Sequence, residues 1–262
     1  MQKKTLLPLL CAGMIGLTEA AVVVKPVPYE IDGEAFEGLL VYDDAVTEPR
    51  PGLVMVPNWL GVTDQSAEKA ARAASDKYVV FMADLYGKAV RPSNPEEARA
   101  AATAVRGDRP LMRKRTQAAV DVFKAQGTSV ALDSSRMAAI GFCFGGGAVL
   151  ELARAGADLK AFVSFHGNLD TPNPADAAQI KAPVLVLHGA DDPAVPQAQV
   201  DGFVAEMKAA KVDWQLVSYG GAVHSFTDPY AKVPGRNEYH PVVAKRSFEA
   251  MNALLDEVFE TP

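Results

Sequence analysis

Runs of apolar, β-branched and aromatic residues alternate with amphipathic stretches along most of the chain. Seven runs are typical of strands: FEGLLVY, GLVMVP, YVVFMAD, RMAAIGF, AFVSFHG, APVLVLHG and WQLVSY. Helical spacing is found in DQSAEKAARAAS, EEARAAATAV, GAVLELARA and residues 108–126, 197–210 and 241–258. The alternation predicts an α/β protein with a mostly parallel central sheet, helices on both faces, and ligands at the carboxyl ends of the strands.

Composition narrows the class of protein and the kind of partner. The chain has 262 residues, of which 49% are hydrophobic and 22% charged, and it has no internal repeat, which favours one globular domain over a disordered or repeat protein. The formal net charge of −6 provides no electrostatic basis for binding nucleic acid or an anionic membrane. We therefore expect a small-molecule partner, and composition sets no oligomeric state.

The first twenty residues differ from the rest of the chain. Two lysines precede the apolar run LLPLLCAGMIGL, and small residues occupy positions 18 and 20. This order is typical of a secretory signal, and the run is too short to span a bilayer. We predict a signal peptide over residues 1–20, a mature domain over 21–262 that begins at Ala21, and export, in a bacterial cell to the periplasm. Mature protein would keep one cysteine, Cys143, and so could form no intramolecular disulfide.

The stretch GFCFGG places Cys143 where a predicted strand meets a predicted helix. Gly141 and Gly145 flank the cysteine at the two positions where a tight strand-to-helix turn leaves no room for side chains. Such a turn exposes a nucleophile above the sheet at a helix amino end, where the dipole favours a thiolate. A buried packing cysteine fits the same local pattern, so this motif alone leaves both interpretations open.

Two further strand ends supply an acid and a base. HGADDPAVP follows one apolar strand and GGAVHSF follows the next. Asp192 lies 49 residues after Cys143, and His224 lies 32 residues after Asp192, which is the order nucleophile, acid, base found in α/β-hydrolases. In such a triad the histidine takes the thiol proton and the carboxylate holds the imidazole in the required tautomer.

These motifs resemble the dienelactone hydrolase family from about Val22 to the end of the chain. GFCFGG resembles the family's cysteine elbow, HGADDPAVP its acid loop and GAVHSF its histidine loop. The resemblance implies an α/β-hydrolase fold and selects Asp192, three residues after Gly189, rather than Asp191 as the triad acid. It also places an oxyanion hole in VPNWLGV, formed by the backbone N–H groups of Trp59 and Phe144.

The chain departs from the founding members of that family at two positions. Those enzymes carry a glutamate, thought to help ionise the cysteine, where this chain has Asn58. They also carry an arginine for the substrate carboxylate where this chain has Asp228. An acid at that place repels a carboxylate, so the sequence predicts a preference for neutral esters or lactones, unless Arg91 or Arg99 reaches the pocket.

Other candidate residues have simpler interpretations. His166 follows a strand and is a candidate pocket residue beside Asn58 and Asp228, whereas His188 is expected in the core and His240 on the surface. RGDRPLMRKR is typical of a solvated helix face, with anion binding as the alternative. Zinc-ligand spacing, a phosphate-binding glycine loop and a dinucleotide fingerprint are all lacking, so we expect no metal and no cofactor.

Taken together, the sequence predicts an exported, cofactor-independent hydrolase that cleaves an ester, lactone or thioester through an acyl-cysteine. The alternative is a thiol redox or small-molecule binding protein on a retained hydrolase scaffold. Such a protein would not need Asp192 and His224 at these spacings.

Overall fold

The computed structural model describes residues 22–75 and 77–260, and the predicted signal peptide, residues 1–20, lies outside them. The elements run in chain order as β1 (Val22–Ile31), β2 (Glu34–Asp43), β3 (Arg50–Val56), α1 (Asp64–Ala74), β4 (Val79–Met82), α2 (Pro95–Gly107), α3 (Arg109–Ala125), β5 (Leu132–Phe142), α4 (Phe144–Arg154), β6 (Phe162–Phe165), β7 (Val184–Gly189), α5 (Gln197–Ala210), β8 (Trp214–Tyr219), β9 (Lys232–Val233), β10 (Asn237–Glu238) and α6 (Pro241–Glu260). Short 3₁₀ turns occupy Gln126–Thr128 and Pro174–Gln179.

Eight strands form one sheet in the order β1-β2-β4-β3-β5-β6-β7-β8. The six strands from β4 to β8 in that order pair in parallel, whereas β1 and β2 form an antiparallel hairpin at one edge. The predicted α/β-hydrolase architecture, with a mostly parallel central sheet, is confirmed. Strand β1 was not predicted, because it contains Pro26 and Pro28 and is exposed over most of its length, as an edge strand can be.

Both faces of the sheet are covered by helices, so the central strands are buried on both sides. Helices α2 to α5 contribute to the apolar cluster on one face, and α1 and α6 contribute to the cluster on the other. Successive residues of β3 alternate between the clusters, with Val54 in the first and Leu53 and Met55 in the second. Burial on both faces explains why these strands read as continuous apolar runs in the sequence.

The parallel register brings the carboxyl ends of β3, β5, β7 and β8 to one edge of the sheet. Val56 lies beside Gly141 at the ends of β3 and β5, and Gly189 lies beside Tyr219 at the ends of β7 and β8. The loops that follow these four strands therefore meet above the same edge, as expected for an α/β sheet.

Candidate active site

Cys143 occupies the turn between β5 and α4 with a backbone φ of +57°. A non-glycine residue in this region is strained, and the surrounding chain must hold it there. Gly141 and Gly145 make the turn possible, because a side chain on Gly141 would collide with the Gly145 carbonyl and one on Gly145 with the Val56 carbonyl. The Cys143 side chain is consequently presented above the sheet at the amino end of α4.

His224 and Asp192 complete a hydrogen-bonded chain from the cysteine. The His224 Nε2 atom lies 2.9 Å from Cys143 Sγ, and its Nδ1 atom lies 2.7 Å from Asp192 Oδ2. The other carboxylate oxygen of Asp192 accepts from the Ala194 backbone N–H at 2.8 Å. Asp191 instead accepts from the Gly221 N–H at 3.1 Å and does not contact His224. The structure thus brings together the three side chains that the sequence singled out.

The charges around Cys143 and His224 favour a thiolate beside an imidazolium. Burial raises the pKa of the Cys143 thiol, but the His224 charge, the His224 hydrogen bond and the backbone N–H groups of Phe144 and Trp59 outweigh it, so that the pKa lies below its ordinary value. Burial lowers the pKa of His224, but Cys143 and Asp192 raise it to a net value above the ordinary one. The two pKa shifts have opposite directions because each group stabilises the charged form of the other.

The backbone N–H groups of Trp59 and Phe144 face the Cys143 sulfur from two different elements. Trp59 lies in the loop after β3, and Phe144 is the first residue of α4. Two converging N–H groups beside a nucleophile form the donor arrangement of an oxyanion hole. Both N–H groups thus face the sulfur of Cys143, and their role as an oxyanion hole stays a prediction.

A cavity of about 360 Å³ opens above the Cys143 thiol. Its wall is formed by Trp59, Arg99, Ala102, Thr103, Arg106, Cys143, Phe144, Asn168, Ala194 and His224. Helix α2 supplies four of these at the spacing i, i+3, i+4, i+7, so one face of that helix forms a side of the cavity. The sequence analysis did not predict this wall, although the pattern RAAATAVR places two arginines seven residues apart around small residues.

Helix α2 contributes two charged side chains to that wall, Arg99 and Arg106. Arg106 pairs with Asp170 at 2.7 Å, whereas Arg99 makes no ion pair within 4 Å among residues 22–75 and 77–260. Arg91, the other arginine considered from the sequence, is directed elsewhere, since its guanidinium binds Asp84 at 2.9 Å and the Gly87 carbonyl at 2.7 Å. The α2 side of the cavity therefore carries the positive charge of Arg99, an exposed side chain.

The three residues predicted for the substrate pocket do not line this cavity. Asn58 and Asp228 lie in a separate recess of about 10 Å³. His166 is buried behind His224, with its Nε2 atom 2.8 Å from Thr227 Oγ1. The prediction of a pocket that repels carboxylates rested on Asp228 facing the substrate, and the structure corrects that placement.

The recess also contains a buried lysine that sequence analysis did not single out. Lys69 is 7% exposed, and its ammonium lies 4.6 Å from the centre of the Phe142 ring, one residue before the cysteine. Burial lowers the pKa of Lys69, while Asp228 and Cys143 raise it. In the sequence, Lys69 has the pattern of an ordinary solvated residue of a helix, so no local signal distinguished it.

The remaining predictions concern residues outside the cavity, apart from Arg106 at the start of RGDRPLMRKR. His188 is buried, as expected, and His240 is half-buried. The basic residues of RGDRPLMRKR are mostly held in ion pairs, including Arg113 with Glu151 at 2.8 Å. Among residues 22–75 and 77–260, no cluster of three or more His, Cys, Asp and Glu side chains could hold a metal ion. No helix in the same ranges is long and apolar enough to cross a membrane.

Comparisons with known proteins identify the family to which the chain belongs. The sequence model of the dienelactone hydrolase family matches residues 36–259. The solved structure named m3DLH is 40% identical, with a TM-score of 0.85, over 92% of this chain and 100% of that one. A structure described as P91, a dienelactone hydrolase-like promiscuous phosphotriesterase from metagenomic libraries, is 38% identical with a TM-score of 0.83, over 91% of this chain and 99% of that one.

A curated protein is also similar to this chain in sequence. A Salmonella typhimurium protein, provisionally named a carboxymethylenebutenolidase, is 28% identical over 77% of this chain and 75% of its own length. The resemblance seen in the cysteine, acid and histidine motifs is confirmed. The chain belongs to the dienelactone hydrolase family and is a hydrolase of ester or lactone bonds.

Proposed function

We propose that Cys143 is the nucleophile of a Cys-His-Asp triad that cleaves small esters, lactones or thioesters through an acyl-cysteine. The observation that carries this proposal is the continuous hydrogen-bonded chain from Cys143 Sγ through His224 to Asp192. The thiolate attacks the substrate carbonyl, and His224 protonates the leaving group. A water molecule, deprotonated by His224, then attacks the thioester and releases the acid and the thiol.

In this mechanism the N–H groups of Trp59 and Phe144 bind the oxyanion formed in both steps. Removing one such donor in a well-studied hydrolase costs about 3 kcal/mol of transition-state stabilisation. The same donors face the sulfur before substrate binds, so they support the thiolate as well. No cofactor takes part in any step of this proposal.

The cavity wall on α2 directs the proposal toward anionic substrates. Arg99 has no ion-pair partner among the described residues and lies on the wall of the cavity above Cys143. A guanidinium binds a carboxylate in a bidentate pair. We therefore propose that the acyl or leaving group carries a carboxylate, which reverses the preference for neutral substrates predicted from Asp228.

The alternative of a thiol redox protein lacks a second thiol near the site. Cys143 is the one cysteine in residues 22–75 and 77–260. A disulfide cycle would need an external partner, and it would not need His224 hydrogen-bonded to a carboxylate. The hydrolase identity and the triad geometry support acyl transfer over this alternative.

A substrate panel tests the proposed function. Carboxylated and neutral aryl esters, lactones and thioesters are assayed with the wild-type protein and with Cys143→Ala. A neutral phosphotriester belongs in the panel because P91, at 38% identity, is named a promiscuous phosphotriesterase. Trapping of an acyl group on Cys143 by rapid quench and mass spectrometry is expected. Full activity in Cys143→Ala would remove the cysteine from the mechanism.

We also propose that the protein is exported and that its mature form begins at Ala21. The basis is the order of charged residues, apolar run and small residues in 1–20. Amino-terminal sequencing of protein purified from its native host tests this. Intact Met1 on the active protein would contradict it.

A further inference from the structure

We infer that Tyr86 and Asn58 are positioning residues that fix the oxyanion loop, residues 57–61, in its active conformation. The inference rests on the proposed function, because it assigns a role within the same reaction. Neither side chain lines the cavity above Cys143. Each acts through the backbone of the loop that carries the Trp59 N–H.

Three hydrogen bonds hold the two peptide groups on either side of Trp59. The carbonyl of Trp59 accepts from the Tyr86 hydroxyl at 2.9 Å. The N–H of Leu60, which belongs to the same peptide group, donates to Asn58 Oδ1 at 3.0 Å. The peptide group that bears the Trp59 N–H is held at its other end, where the Asn58 carbonyl accepts from the Gly61 N–H at 2.9 Å.

These bonds determine where the Trp59 N–H points. A peptide group is planar, so fixing its carbonyl also fixes the direction of its N–H. Rotation of the Trp59 N–H away from Cys143 would require breaking the turn from Asn58 to Gly61 or tilting the next peptide group. The Tyr86 and Asn58 side chains hold that next peptide group from both sides.

Tyr86 is itself held rigidly and contacts both donors of the oxyanion hole. Its own N–H donates to the buried Asp84 carboxylate at 3.0 Å. Its ring lies 5.5 Å from the Phe144 ring, between centroids, while its hydroxyl binds the Trp59 carbonyl. Gly61, at a φ of +74°, leaves room for the ring, since an added side chain would lie 3.0 Å from it. One side chain therefore connects the two loops that supply the donors.

Asn58 gains a specific role from this arrangement. Its side-chain oxygen closes a turn on the Leu60 N–H, a bond that asparagine forms readily with a backbone group two residues ahead. The neutral amide performs this function without placing a negative charge on the oxyanion loop. Asn58 thus organises the oxyanion loop rather than exchanging a proton with Cys143.

Tyr86→Phe is the primary test. Alkylation of Cys143 is the second readout, because it separates a role in positioning the Trp59 N–H from a general effect on the structure around Cys143. Iodoacetamide reacts with the thiolate without using an oxyanion hole, and alkylation is measured at a pH high enough to ionise Cys143 fully, so that the support of the thiolate by the Trp59 N–H does not enter the rate. We expect kcat to fall about tenfold, less than the 10² to 10³ for removing a donor outright, while the alkylation rate stays within twofold of wild type. Tyr78→Phe is the control, because it removes a buried tyrosine hydroxyl packed on Phe259 in the opposite core.

Two outcomes would overturn the inference for Tyr86. A kcat within twofold of wild type would show that the hydroxyl contributes nothing to the reaction. Equal losses of kcat and of alkylation rate would show that Tyr86 maintains the thiol and not the oxyanion hole. Retained activity in Cys143→Ala would instead refute the proposed function, so the two failures are distinguishable.

Asn58 is tested with two variants, of which one removes the acceptor for the Leu60 N–H and the other restores an acceptor. Asn58→Ala removes the acceptor for the Leu60 N–H, and we expect kcat to fall by about threefold to tenfold with unchanged alkylation. Asn58→Ser restores a short neutral acceptor and should recover most of the loss. Equal activity in the alanine and serine variants would show that the turn bond has no part in catalysis.

Discussion

The Nε2 atom of His224 lies 2.9 Å from the Sγ atom of Cys143, although 81 positions separate the two residues in sequence. The contact forms because both residues follow parallel strands of one sheet, in the turn after β5 and the loop after β8. The pKa of the thiol lies below its ordinary value, and that of the imidazole lies above. These opposite shifts favour the thiolate–imidazolium form of the resting pair.

Alkylation should detect this pair directly. A free cysteine of pKa about 8.5 is almost wholly protonated at pH 6, whereas the lowered pKa of Cys143 leaves thiolate available. Iodoacetamide at pH 6 should label Cys143 faster than it labels glutathione, and hydrolysis should cease as labelling proceeds. The rate should fall as the pH is lowered through the depressed pKa of the thiol, with a midpoint below that of a free thiol. His224→Asn should move the midpoint toward that of a free thiol; a wild-type rate equal to that of glutathione contradicts the ion pair.

The two neighbouring acids should differ sharply when changed. Asp192→Asn removes the carboxylate that holds the His224 Nδ1–H, and kcat should fall by roughly 10² to 10⁴. Asp191→Asn alters only the contact with the Gly221 N–H and should change kcat by less than about threefold. Steady-state assays of both variants on one ester make the comparison. A larger loss in Asp191→Asn would contradict the register of the acid loop.

The positive charge of Arg99 on the cavity wall should give the enzyme a substrate preference that depends on salt concentration. A carboxylated ester should have a higher kcat/KM than its neutral analogue, and the advantage should shrink as salt rises. Arg99→Gln should lower kcat/KM for the carboxylated ester by about tenfold and leave the neutral one nearly unchanged. Arg236→Gln, an exposed arginine outside the cavity wall, is the control. A neutral ester preferred at low salt would contradict an anion-binding role for Arg99.

Lys69 and Asp228 should influence the thiol in opposite directions. Lys69 favours the thiolate, so Lys69→Met should move the midpoint of Cys143 alkylation to higher pH; Asp228→Asn should move it to lower pH. Each shift is expected to be roughly half a unit. His224 dominates the charge facing Cys143, and Lys69 also faces His166 and Arg72.

The control for this pair is Arg72→Met, because Arg72 interacts with Lys69 but is exposed and screened by solvent. It should leave the midpoint unchanged. Shifts of the same sign in Lys69→Met and Asp228→Asn would show that the recess acts through packing and not through charge.

Much of the fold was accessible from the sequence because the central strands are buried on both faces. Continuous apolar runs such as VLVLHG mark such strands, and helical spacing marks the segments between them. The edge strand β1 escaped this pattern because most of its residues are exposed. The two-residue strands β9 and β10 are too short to produce a periodic signal.

By itself the sequence determined the order of strands β2 to β8 and of the helices between them. It also indicated the three loops that carry Cys143, Asp192 and His224, since parallel strands place such loops at one edge. The resemblance of the acid loop to that of the dienelactone hydrolase family selected Asp192 over Asp191, and in the structure Asp192 is the acid that binds His224.

Only the tertiary structure decided which charges face the cavity. Arg99 and Arg106 reach it because one face of α2 packs beside the elbow, and Asp228 is turned away into the recess with Lys69. The physical reason is that strand ends fix where a loop begins, whereas the direction of a side chain depends on the packing of several elements that are distant in sequence.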